Sequence, residues 1–217
     1  MNTPAQPWFR LAAPGALALL CLLALPGARR ALEASMTTHM LVQYPLLALA
    51  GFLLAAALPG RWLKRLSAWN TCGISGLFAA AVMLAILMIP RVLDLALIDG
   101  RIEFAKGLAL LACGAALRMS WRPAGLLVQG FFLGNVLPMM AVVGHLYESS
   151  PVRVCNAYLL DDQMRLGQLL VWISVGVALA WFACLVRTLM HSDAAAVLPA
   201  PLDEGAVTAK SIAPGSH

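Results

Sequence analysis

Charge is what this sequence has least of. Asp, Glu, Lys and Arg make up 12% of its 217 residues, against 61% that are hydrophobic. A soluble domain is about a quarter charged and roughly half apolar. A chain this apolar, with a mean hydropathy of +0.83, has no water-soluble solution and reads as an integral membrane protein. Motifs are scarce too. There is no GxxxxGK[ST], HExxH or GxSxG, so the marks of an ATPase, a zinc protease or a serine hydrolase are missing, and no enzyme is expected. No CxxC or CxxCH occurs, which argues against a zinc ribbon and covalent haem, and an odd count of five cysteines argues against a disulfide framework. The net charge of +5 arises from Lys and Arg flanking apolar segments. There it sets orientation; nucleic acid is not an expected partner, and membrane lipid is.

What is there is a series of apolar runs. At about 20 residues per crossing, six are readable: 11–27, 41–59, 71–89, 105–117, 125–143 and 166–186. The expected fold is all-α, a polytopic transmembrane helical bundle of about six spans over residues 1–190, followed by a disordered cytoplasmic tail, 191–217. The connections "GRWLKRLSAW" and "LRMSWRPAG" carry Arg61, Lys64, Arg65, Arg118 and Arg122 with no acid, which marks them cytoplasmic. The charge-balanced segments from Arg91 to Lys106 and from His145 to Arg165 then face outward, and both termini lie inside. Arg29 and Arg30 run against this pattern. Residues 1–34 read alternatively as a signal peptide. Basic residues directly after an apolar run hinder translocation, which favours an uncleaved first span. No Asp, Glu, Lys or Arg falls at the centre of an expected span, which weakens a proton-coupled transporter.

The residues with ligand atoms sort to the expected outer face. "MTTHM" places His39 and Met40 at the mouth of the second span, and "MMAVVGHLY" places Met139 and Met140 in the outer half of the fifth, with His145 at its exit. "RVCNAYLLDDQMR" then supplies Cys155, Asp161, Asp162 and Met164. Thiolate, thioether and imidazole together select Cu(I). The candidate metal-ligating set is therefore His39, Met40, His145, Cys155, Asp162 and Met164, with copper as the implied ion. Each has a blander role. His39 and His145 suit interfacial positions, the methionines suit packing, and Asp161 and Asp162 suit the N-terminus of the sixth helix. Gln129 and Asn135 in the fifth span read as contacts between helices.

Two stretches carry a resemblance. "HMLVQYPLLALAG" and "LLDDQMRLGQLLVWIS" resemble the "HM…Q…" opening and the "DQxxGGxxMW" late span of the CtaG-like cytochrome c oxidase assembly proteins, through His39, Met40, Asp162, Gln163, Gly167 and Trp172. The resemblance covers about a third of the chain. It implies a multi-pass protein of the bacterial inner membrane that helps deliver copper to a terminal oxidase, with an oxidase subunit or a periplasmic copper chaperone as partner. The family is richer in histidine; its second opening histidine falls where this chain has Gln43 or Tyr44. Two other functions fit the residues. One is a membrane scaffold that docks a partner without metal. The other is a b-type haem or quinone-linked electron carrier, limited to one haem because His39 and His145 lie near one surface.

Overall fold

The computed structural model describes residues 7–197, and side chains over 11–190 apart from 63, 64 and 67. The described residues form helices and short connections, with no strand among them. In chain order these are α1 (Pro7–Ala24), α2 (Pro26–Glu33), α3 (Met36–Thr38), a π-helical turn (His39–Gln43), α4 (Tyr44–Ala56), α5 (Gly60–Ala68), α6 (Ile74–Leu87), α7 (Pro90–Ile98), α8 (Gly100–Ser149) and α9 (Leu160–Val197). Local chemistry sets several starts. Pro26 and Pro90 stand in first turns, where a missing N–H costs nothing. The Ser35 hydroxyl accepts from Thr38 N at 3.1 Å, and Asp99 accepts from Arg101 N at 2.8 Å, each satisfying an orphan donor.

Among the described residues three helices are long and apolar enough to cross a membrane, or up to five crossings if each of two bent helix pairs counts as one. The pairs are α1 with α2, bent by 72°, and α6 with α7, bent by 74°. The number expected was six. The difference lies in α8, whose 50 residues pass as one helix. Straight, it would be about 75 Å long, more than twice a bilayer core of roughly 30 Å. It is not straight. Gly125 has φ 64° and ψ 175°, a conformation that L side chains rarely adopt, and there the chain turns back. Gln129 Nε2 donates to Trp121 O at 2.6 Å, and the rings of Trp121 and Phe132 lie 6.4 Å apart. Along a straight helix those two residues would be separated by about 16 Å. α8 is thus two antiparallel limbs, 100–124 and 126–149.

The reversal gives the bundle two ends. At the Gly125 end, Asn70 Nδ2 donates to Ser120 Oγ at 2.8 Å while its Oδ1 accepts from Gly76 N, and Gly73 lies against Ser120 and Ala124. Leu77, Ala80, Cys113, Ala124 and Phe132 form the core there. At the other end, α3, the π-helical turn, α7, the outer turns of both α8 limbs, the connection 150–159 and the start of α9 surround a larger core. It contains Met36, Met40, Tyr44, Leu93, Leu110, Tyr147, Cys155, Tyr158 and Leu166. α9 runs on to Val197, into the segment expected to be a tail; 198–217 lie outside the described residues.

Between the ends the helices approach closely through small residues. A Cβ on Gly114 would run into the Ala48 carbonyl, and one on Gly51 into that of Leu111, which locks α4 to the first limb. Gly144 and Gly167 meet backbone to backbone, joining the second limb to α9. Lipid tails are as apolar as leucine, so contact of this kind, not hydrophobicity, holds neighbouring spans together. Gly114→Val should therefore cost about 1–3 kcal/mol or more. Gly134→Ala, which meets nothing within 4 Å, should be silent. Chemical unfolding of both variants in detergent micelles checks the contrast.

Candidate functional site

Four of the six buried polar side chains among the described residues, His39, Gln43, Lys106 and Gln163, lie at the end opposite Gly125, whereas Ser120 lies at the Gly125 end. The π-helical turn carries two of them. Proline lacks the N–H that would bond the carbonyl four residues back and its ring crowds that carbonyl; a wider turn just before Pro45 relieves both problems. Within this turn His39 and Gln43 are both buried, at 0% and 3% exposure. The first α8 limb brings the third group. Lys106 is 2% exposed, two turns inside a helix that Asp99 caps.

Lys106 makes two hydrogen bonds and one close ion pair. Its Nζ lies 3.0 Å from His39 Nε2, 3.3 Å from Gln43 Oε1 and 2.6 Å from Glu103 Oε2. An ammonium has only donors, so Nε2 must accept. The neutral ring then carries its proton on Nδ1, which donates to Tyr158 Oη at 2.7 Å. Tyr44 and Tyr158 both stand edge-on to the imidazole, with centroids at 5.5 and 6.2 Å. The Tyr44 ring also lies 5.7 Å beneath Nζ, while its hydroxyl is buried with no partner among the described residues. Outward from Lys106 the pairing continues: Arg29 is 3.8 Å from Glu103 and 2.7 Å from Glu33. Two bases and two acids cancel, as a low-dielectric interior requires.

The connection 150–159 closes this end and is fastened by Asp94 and Gln163, while Asp162 ties α9 to α3. Asp94 accepts from Asn156 N at 3.0 Å and Ala157 N at 3.3 Å. Gln163, 1% exposed, accepts from Val154 N at 2.8 Å and donates to Tyr147 O at 3.1 Å. Asp162 accepts from Met36 N at 3.3 Å, reaching across to the first turn of α3. Tyr158 is held against His39, and burial above all, followed by nearby carboxylates, raises its phenol above the usual range and keeps it protonated.

The candidate ligands therefore separate. His39, Met40 and Cys155 are buried in this end and Asp162 is tied to it, whereas His145 and Met164 are exposed on the outside of their helices. Cys155 is not the accessible thiol its polar surroundings suggest. It is 1% exposed, its Sγ donates to Pro90 O at 3.7 Å, and burial, followed by the charge of Asp94, pushes it up to about 12. A Cu(I) ligand is a thiolate. With this thiol protonated and both His39 nitrogens engaged, the side chains as placed do not make a low-coordinate Cu(I) site. No group of three or more His, Cys, Asp and Glu arranged to hold a metal occurs among the described residues. Lys106, Glu103 and Tyr158 were missed in the sequence. Lys106 reads as a loop charge if the span starts where hydrophobicity starts. The signal was "DGRIEFAKG", in which Asp99 caps a helix from Gly100 and Glu103 pairs with Lys106 three residues on.

Comparison of the chain with protein-family models, curated proteins and solved structures gave no significant match.

Two outcomes follow. Glu103→Gln leaves the Lys106 charge without its counter-ion and should cost about 3–5 kcal/mol, and Glu103→Gln with Lys106→Met should recover most of it; denaturation of wild type and both variants in micelles measures the loss and its recovery. At pH 8, Cys155 should resist alkylation by iodoacetamide while the exposed Cys72 reacts, read by mass spectrometry of tryptic peptides. Because the folded-state value is raised, the thiol's contribution to stability is complete below about 8.5, the value for an unfolded chain. It is lost as pH climbs from there toward 12.

Proposed function

We propose that this is a non-enzymatic, multi-pass membrane protein that docks a partner at the end of the bundle built around His39, and that the partner is a respiratory oxidase under assembly. The observation that carries the reading is a convergence. The two stretches that resemble CtaG-like assembly proteins lie far apart in sequence, yet Asp162 bonds Met36 N and Gln163 fastens the connection whose Tyr158 bonds His39. Residues that share a resemblance and build one end are the ones a common function would hold in place. On this reading copper is cargo of the assembly, and its passage through His39 requires the imidazole to leave Lys106.

Charge supports an orientation. Every acid from Glu33 to Asp162 belongs to elements at the His39 end, while Arg61, Arg65, Arg118 and Arg122 face none at the Gly125 end. The positive-inside rule makes the Gly125 end cytoplasmic and the His39 end periplasmic. If each α8 limb crosses separately, the bundle has six spans in a bacterial inner membrane, with both termini inside.

Single-cysteine proteins test the orientation in intact cells. Val152→Cys, at a position 66% exposed, should label with an impermeant maleimide from outside, and native Cys72 should not. The reverse pattern inverts the topology. For the function, deleting the gene in its host should lower cytochrome c oxidase activity. Wild-type protein should restore it, whereas Asp94→Ala, which frees the connection 150–159, should restore it poorly. Normal oxidase activity and copper content in the deletion strain would overturn the reading.

A further inference from the structure

Remove the Lys106 side chain from view, and what remains around its nitrogen is a ligand shell. An imidazole nitrogen at 3.0 Å, an amide oxygen at 3.3 Å and a carboxylate oxygen at 2.6 Å converge on one point. The imidazole presents its lone pair there because its other nitrogen donates to Tyr158. This is the arrangement that fixes the tautomer of a metal-bound histidine. The positions are buried, so any occupant must be a cation able to balance Glu103. There is also a way in. A cleft of about 510 Å³ between α1, α4 and the first α8 limb counts Gln43, Glu103 and Arg29 among its lining residues.

We propose that His39, Gln43 and Glu103 form a divalent-cation site in which Lys106 is the resident cation, a tethered competitor that a metal must displace. The chemical class follows from the donors. One imidazole, one carboxylate and one amide oxygen are borderline-to-hard ligands that suit zinc or cobalt, with water from the cleft completing four-coordination. They do not suit Cu(I), which selects thiolate and thioether. Metal bonds of about 2.0–2.2 Å are shorter than these contacts, so the three ligands close in when ammonium gives way to a smaller ion. Arg29, 3.8 Å from Glu103, is the remaining positive charge beside the site and sets a limit on its affinity. This site shares His39 with the proposed docking end, but metal binding to the purified protein needs no partner and is tested separately from it.

The test is titration of the purified full-length protein in detergent with Zn(II), and with Co(II) for its visible absorption. Wild type should bind weakly, and Lys106→Ala should take up one ion per chain at least tenfold more tightly, with a tetrahedral cobalt spectrum. Adding His39→Ala or Glu103→Gln to Lys106→Ala should abolish the gain, and adding Tyr158→Phe should weaken it about 10–100-fold, as expected for loss of the group that orients a ligand. If Lys106→Ala is unfolded without metal because Glu103 is left uncompensated, its recovery by zinc supports the site equally. A Lys106→Ala protein that neither gains zinc binding nor recovers with zinc overturns the proposal. So does a gain that survives His39→Ala.

Discussion

The His39 end is organised by the need to satisfy one ammonium group away from water. An unpaired charge in such a place would cost several kcal/mol, and the structure meets that cost from three directions. Gln43 and His39 come from a turn widened just before a proline, and Glu103 from the same helix as the lysine. Those positions in turn fix the tautomer of His39, the place of Tyr158 and hence the path of the connection 150–159. The rest of that end, from Arg29 to Asp162, closes charges or backbone donors left over by this arrangement.

The opposite end follows another logic. It has basic residues without acids, a left-handed glycine at each of two turns, and an apolar core of modest size. Between the ends, stability comes from backbones brought close by glycine, a device that works in lipid because it does not rely on expelling water. One end thus holds the chemistry while the middle and the far end hold the geometry.

Much of this was legible in the sequence. Apolar runs mark the helices, and charge asymmetry distinguishes the two ends. The last two expected crossings sit on the second α8 limb and α9. The connection expected from Arg118 to Gly125 instead stays helical through Ala124 and turns at one residue, since Gly125 alone supplies the reversal. The site was half legible. His39, Met40, Cys155 and Asp162 were singled out by side-chain type and do gather. His145 and Met164 do not, because one step along a helix swings a side chain through about 100°. His145 lies between buried Gly144 and Tyr147, and Met164 follows buried Gln163, yet both point away. Lys106 escaped notice for a related reason: its depth depends on where the helix begins, and hydrophobicity does not mark that boundary.

The π-helical turn gives the site a sensitivity of a different kind. A π turn amounts to one residue more than an α-helix would use, and it is this extra residue that sets the bearing of His39 and Gln43 relative to Lys106. Removing a single residue between 39 and 43 would rotate one side of the site by about 100° while altering none of its chemical groups. The site's presence is therefore encoded in chain length as well as in composition. Among related sequences it would be gained or lost by insertion and deletion, with every polar residue still in the chain.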